Sequence, residues 1–177
     1  MLENIEEILL TREQLESKTK ELAKEINEVY KDKNPILLGL LKGSIIFISD
    51  LMKELNFKLE IDFMDVSSYY GASSSNEIKI LKDIEIEVKN RHVLIAEDII
   101  DTGQTLSKVI SLLEERGALS VKVVALLDKP EARKIDMKAD YIGFEIPKKF
   151  VVGYGLDYNE NYRNLPFVGV LKSSVYN

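Results

Sequence analysis

Residues 93–105 read Val-Leu-Ile-Ala-Glu-Asp-Ile-Ile-Asp-Thr-Gly-Gln-Thr, and no other stretch narrows the possible folds as far. A short apolar run ends in two adjacent carboxylates, Glu97 and Asp98. A third, Asp101, follows three positions later, and then a Thr-Gly-x-Thr turn. Beyond the turn Leu106, Val109, Ile110 and Leu113 recur at helical spacing, and Gly117 supplies a stop. A brief continuous apolar run suits a strand buried on both faces, and a strand that turns directly into a helix belongs to an α/β sheet. The stretch therefore sets acids beside the free N–H groups of a helix start, at one edge of a sheet.

The rest of the chain agrees with that class. Thr11-Arg12-Glu13-Gln14 is a capping box, and Leu15, Leu22, Ala23, Ile26 and Tyr30 share one face of the helix it opens. Asn34-Pro35 ends that helix. Residues 35–41 form an apolar strand, Lys42-Gly43-Ser44 turns into a second helix over 44–55, and residues 58–67 alternate as a strand. Residues 68–76 are small, polar and non-periodic: a solvent loop by composition, or a mobile lid over a site. Further short strands are expected at 78–81, 121–127, 141–146, 151–155 and 167–171. The expectation is an α/β fold with a largely parallel central sheet flanked by helices. With neither an internal repeat nor a linker, residues 1–177 read as one domain.

Composition narrows the chemistry. The chain is 45% apolar and 31% charged, ordinary for a soluble globular protein. A net charge of -6 argues against broad nucleic-acid binding, so an anionic substrate would need local amides, placed Lys or Arg, and metal. The chain contains no cysteine, which removes disulfides, thiol nucleophiles and thiolate metal sites. The single histidine, His92, reads as a surface residue at a strand start. Zinc is thus a poor candidate, and carboxylates favour a hard ion such as Mg2+. Residues 1–10 lack a basic n-region, and no segment has the apolar length of a membrane span. A cytoplasmic enzyme or binding protein is expected, with no membrane and no nucleic-acid partner.

In open parallel sheets, ligands bind beyond the carboxyl ends of the strands. Glu97 and Asp98 lie at such an end, where ionised carboxylates can accept from the hydroxyls of a vicinal diol and share a magnesium ion. Residues 101–105 complete the picture. Gly103 allows close backbone approach, Thr102 and Thr105 add hydroxyls, and the helix start adds N–H groups and its dipole, which together suit a monophosphate. Asp101, between the two, is placed to act as general base on a group at the anomeric carbon. Neither G-x-x-x-x-G-K-[ST] nor G-x-G-x-x-G occurs, which removes the triphosphate P-loop and the dinucleotide fingerprint. Nothing places a serine beside His92 for Ser-His-Asp catalysis.

Ile95-Ala96-Glu97-Asp98-Ile99-Ile100-Asp101-Thr102-Gly103 resembles the 5-phosphoribosyl-1-pyrophosphate signature of the type I phosphoribosyltransferases. Leu41-Lys42-Gly43-Ser44, Ser67-Ser68-Tyr69, Leu126-Leu127-Asp128-Lys129-Pro130 and Gly143-Phe144-Glu145-Ile146-Pro147 resemble the hypoxanthine-guanine branch. So does the run from Phe150 through Val151, Gly153, Gly155 and Asp157 to Arg163 and Pro166. The resemblance spans nearly the whole chain in the family's order. Two departures stand out: Ala96 where Val is usual, a small packing change, and Tyr69-Tyr70-Gly71 in the loop.

The resemblance implies a type I phosphoribosyltransferase fold with a small hood region. It also implies a Mg2+-dependent purine-salvage transferase that makes IMP or GMP from hypoxanthine or guanine, working as a homodimer or homotetramer. Glu97 and Asp98 would hold the ribose hydroxyls and a magnesium ion, and Asp101 would be the acid-base residue facing purine N7. Thr102, Gly103, Gln104 and Thr105 would bind the 5′-phosphate, and Lys42, Gly43 and Arg163 the pyrophosphate. Lys129 would donate to the purine 6-oxo group, Phe150 stack on the base, and Val151 touch its edge. Asp157, grouped with the purine-binding residues, would ligate a second magnesium on the pyrophosphate side, and Ser68 and Tyr69 would form a lid. Alternatives are a xanthine-preferring enzyme, an RNA-binding regulator on the same fold, which would need a basic face, and a receiver-like signalling domain.

Overall fold

The computed structural model describes residues 1–68 and 78–176. Helix α1 (Arg12–Tyr30) starts where the capping box places it. The Thr11 hydroxyl accepts from the Gln14 N–H, and the Gln14 side chain accepts from the Thr11 N–H. Its buried face carries Leu15, Leu22, Ala23, Ile26 and Tyr30 as expected, together with Thr19, whose hydroxyl donates to the Leu15 carbonyl.

Six strands make the main sheet: β2 (Ile36–Leu41), β3 (Glu60–Ser68), β4 (Ile78–Lys82), β5 (His92–Ile100), β6 (Ser120–Asp128) and β7 (Tyr141–Glu145). Their order is β4-β3-β2-β5-β6-β7, parallel except for the antiparallel β3–β4 pair. The chain builds outward from β2 to β3 and then returns to lay β5 on the opposite side of β2. The order therefore reverses between β2 and β5, and ligands bind at such a reversal.

Helix α2 (Ile45–Glu54) packs with α1 on one face of the sheet, and α3 (Gln104–Glu115) covers the other. Strand residues divide by parity. Leu37, Leu94 and Ala96 enter the α1–α2 core, and Ile36, Leu38, Val93 and Ile95 enter the α3 core. The central strands are buried on both sides, which is why they read as unbroken apolar runs.

A second, antiparallel sheet of β1 (Ile5–Leu10), β9 (Val168–Leu171) and β8 (Val151–Val152) forms the hood, followed by the short helix α4 (Ser173–Tyr176). Strand β1 has no periodic signal because its pairing with β9 is irregular between Ile5 and Glu7 and again between Ile8 and Leu10, so strict alternation is lost. The strand expected over 151–155 stops after Val152. Gly153, Tyr154 and Gly155 all have positive φ (97°, 50° and 103°), which no strand accommodates. Among the described residues, no helix is long and apolar enough to cross a membrane.

Candidate active site where the sheet order reverses

The β2–β5 register ends at Gly39 opposite Ala96, whereas β5 stays paired with β6 as far as Ile100 opposite Asp128. Glu97 and Asp98 thus sit where β5 has lost its β2 neighbour. This corrects the expectation that the two acids end their strand. The strand continues through Ile100, and the acids occupy a half-open position within it. Both residues are half-buried, and they serve different neighbours. Asp98 meets the loop after β2, while Glu97 lines a hollow of about 120 Å3 with Asp101, Thr102, Gly103 and Thr105.

Three backbone segments converge on Asp98. A Cβ on Gly43 would lie 1.8 Å from Asp98 Oδ2, and a Cβ on Gly155 would lie 2.0 Å from the Gly43 carbonyl oxygen. Two bare glycines therefore let the Lys42-Gly43 loop nest between β5 and the turn after β8. The Leu41–Lys42 peptide is cis. Arg163 Nη1 donates to the Gly155 carbonyl (2.8 Å) and Nη2 pairs with Asp157 (2.9 Å). Lys42 Nζ reaches Glu160 (3.0 Å), whose carboxylate also lies 3.4 Å from Arg163 Nη2. The structure thus brings Lys42, Gly43, Asp98, Asp157 and Arg163 together, and adds Glu160, an exposed acid that no sequence signal marks.

Gly103 forms the N-cap of α3 with φ 79°, in the left-handed region where glycine is favoured. The Thr102 hydroxyl accepts from the Gln104 N–H at 3.4 Å. Asp101, with a side chain 54% exposed, lies 3.9 Å from Lys129 Nζ, which is largely buried. The ring of Phe150 is stacked on Tyr176 (centroids 4.8 Å apart) and meets the edge of Tyr158 (5.7 Å). Phe150 is still 38% exposed with both tyrosines in place. Val151 is buried beside it. The sequence assigns neither tyrosine a role, because packing of one aromatic ring on another leaves no local pattern. Ser68 ends β3 opposite Ile78, and Tyr69 lies outside the described residues.

Burial gives the acid pair unusual proton affinity. Loss of solvation raises the Glu97 carboxyl well above its ordinary value, and the neighbouring Asp98 charge adds to it. Loss of solvation likewise pushes Asp98 up to about 6, against the pull of the Ile99 N–H bond and of Arg163. A carboxyl raised in the folded state stabilises the protein below its unfolded value and ceases to do so as pH climbs through the folded one. Asp98 at about 6 against an ordinary 3.8 sets a ceiling of about 3 kcal/mol at neutral pH. Asp98→Asn is therefore expected to stabilise the free protein by about 1–2 kcal/mol at pH 7.5, with the gain vanishing toward pH 4. Calorimetric melting of both proteins at the two pH values checks this; a gain independent of pH would contradict it.

Comparison with known proteins follows the same lines. Residues 6–159 match the family described as the phosphoribosyl transferase domain. Hypoxanthine-guanine phosphoribosyltransferase of Bacillus subtilis is 52% identical over 177 residues, covering 99% of this chain and 98% of the relative. The enzyme of the same name from Lactococcus lactis is 55% identical over 174 residues, covering 98% and 94%. A crystal structure of a hypoxanthine phosphoribosyltransferase from Staphylococcus aureus superposes with a TM-score of 0.96 at 48% identity, covering 100% of this chain and 97% of the other. A fold and a sequence this close along their whole length have one reading: the chain belongs to the phosphoribosyltransferase family, in its hypoxanthine-guanine branch.

Proposed function

We propose that this chain is a purine-salvage enzyme that joins hypoxanthine or guanine to 5-phosphoribosyl-1-pyrophosphate, releasing pyrophosphate and forming IMP or GMP. One observation carries the reading most directly. Lys129, a buried cation suited to a 6-oxo group, stands beside Asp101, a solvent-facing acid at the rim of the hollow that Glu97 and the 102–105 turn line.

In this reading the 5′-phosphate lies at the start of α3, on the amides and hydroxyls of Thr102, Gly103, Gln104 and Thr105. Glu97 and Asp98 accept from the ribose hydroxyls. The purine ring lies on Phe150, with Lys129 donating to its 6-oxo oxygen and Val151 lending backbone contact at its edge. Lys42, Gly43 and Arg163 receive the pyrophosphate, where a guanidinium fork matches phosphate oxygens. The purine nitrogen forms its bond to C1 as the C1–oxygen bond to pyrophosphate breaks, with inversion at C1. Asp101 takes the proton that the base sheds at N7. Positive charge on the sugar ring is met by the nearby carboxylates. Ser68 and Tyr69 belong to the segment that would cover the site and exclude water.

Magnesium fits the donors present. Glu97 Oε2 is a buried oxygen without a hydrogen-bond partner, and Asp98 and Asp157 offer further hard oxygen ligands. Among the described residues no group of three or more His, Asp or Glu side chains gathers in a form that could hold a metal ion by itself. Glu97 and Asp98 would hold one ion and Asp157 a second; bound there, magnesium would neutralise pyrophosphate charge. The reading includes a cytoplasmic location and a homodimer or homotetramer; the exposed Ile45 and Met52 on α2 suit a covered face, and light scattering would test the oligomer.

A base panel tests the proposal. With donor and Mg2+ supplied, hypoxanthine and guanine are expected to turn over at least roughly 100-fold more efficiently than adenine, whose 6-amino group offers Lys129 a donor instead of an acceptor. Lys129→Gln is expected to shrink that ratio, since an amide can present its oxygen to the amino group. Equal use of adenine by the unaltered enzyme would refute the assignment of Lys129.

A further inference from the structure

We propose that Arg133 is a positioning residue that aims the phosphate-binding amides of the acidic turn, an inference resting on the reading of residues 102–105 as the 5′-phosphate site. Arg133 closes the 3-10 turn Pro130–Ala132, which follows Lys129. Its Nη1 donates to the Asp101 carbonyl (2.7 Å), and its Nη2 pairs with Asp128 at the end of β6. The two side chains are 13% and 5% exposed. The next N–H along the chain, that of Lys134, donates to the Thr102 carbonyl (3.1 Å). Two successive carbonyls of the turn are thus held from one side by residues 133 and 134.

Peptide geometry then dictates where the amides point. In a planar trans peptide the C=O and the following N–H face opposite ways. Holding the carbonyls of Asp101 and Thr102 toward the Arg133 segment turns the N–H groups of Thr102 and Gly103 to the other side. The hollow lined by Glu97, Asp101, Thr102, Gly103 and Thr105 does not include Arg133 or Lys134. The stem of Arg133 also supports Gly103 from beneath: a Cβ there would lie 3.3 Å from Arg133 Cδ. A buried ion pair is costly unless both charges are fully bonded, and the forked guanidinium serves a carboxylate and a carbonyl at once.

The test separates the phosphate end from the purine end. Steady-state KM for the phosphoribosyl donor and for hypoxanthine, and the inhibition constant of ribose 5-phosphate, are measured for Arg133→Met, Arg133→Lys and Thr102→Val, with thermal melting of each. Arg133→Met is expected to raise the donor KM and the ribose 5-phosphate constant at least tenfold while leaving the hypoxanthine KM within twofold. Arg133→Lys, which keeps the charge but not the fork, is expected to fall between. A folded Arg133→Met with an unmoved donor KM, or with both KM values rising in parallel, overturns the proposal. If Arg133→Met does not fold, Arg133→Lys decides by the same comparison, a threefold rise in donor KM alone supporting the proposal and anything else refuting it. If Thr102→Val leaves donor binding untouched, the phosphate assignment itself fails and the role of Arg133 falls with it. If Thr102→Val weakens donor binding and Arg133→Met does not, only the positioning role is wrong.

Discussion

Asp101→Asn is expected to lower kcat by roughly 100-fold or more while leaving the melting temperature almost unchanged, because a positioned acid-base group contributes about 10²–10⁴-fold. The amide keeps the size of the carboxylate but cannot take a proton from the base. The fold has little reason to respond. The Asp101 side chain is mostly exposed, its ion pair with Lys129 is long at 3.9 Å, and such pairs add little stability. The firm contact at this residue is made by its backbone carbonyl, which Arg133 holds and which the substitution leaves intact. Steady-state kinetics with calorimetry on the same sample checks the result. Full turnover in the variant would remove Asp101 from the proton transfer and with it the proposed chemistry at N7.

Gly155→Ala is expected to abolish most activity, with a fall in kcat/KM of roughly 100-fold or more, and to destabilise the protein by about 2–3 kcal/mol. Two costs combine. The backbone at Gly155 has φ 103°, which an L side chain rarely adopts. The new Cβ would also stand 2.0 Å from the Gly43 carbonyl oxygen, so the Lys42-Gly43 loop must retreat from Asp98. Gly117→Ala supplies the control. Its φ is 84°, but its Cβ would meet only Lys89, whose Cγ is nearest at 3.3 Å, at the opposite end of β5 and α3 from the site. That variant is expected to lose about 1 kcal/mol of stability and keep its activity. Equal activity loss in both would show that backbone strain alone, and not the crowding of Gly43, accounts for the effect.

The different legibility of these residues has physical causes. Residues 93–105 carry their meaning locally. A strand, an acidic end and a glycine turn into a helix are consecutive in the chain, so spacing alone reveals the grouping. The capping box at Thr11 and the apolar strands at 35–41 and 121–127 are equally local, and the structure has them within a few residues of the expected bounds. Strand β1 escaped because its bulged pairing breaks alternation, and the strand after Phe150 proved short because of three successive positive-φ residues. Arg133, Glu160, Tyr158 and Tyr176 escaped for another reason. Each matters through a contact at no helical or strand spacing or through a backbone carbonyl, and neither leaves a mark in residue spacing.

By itself, then, the amino-acid order determined the α/β class, the acidic strand that turns into a phosphate-suited helix start, and the family to which those motifs point. Only the folded chain decided how these parts meet. It parted β2 from β5 beside the acids, seated Gly43 against Asp98 and Gly155 against Gly43, and gave Glu97 and Asp98 different neighbours. Hydrophobic periodicity records which face of an element is buried. Contacts between glycine backbones, and the loss of water around a carboxylate, arise only when distant segments are packed together.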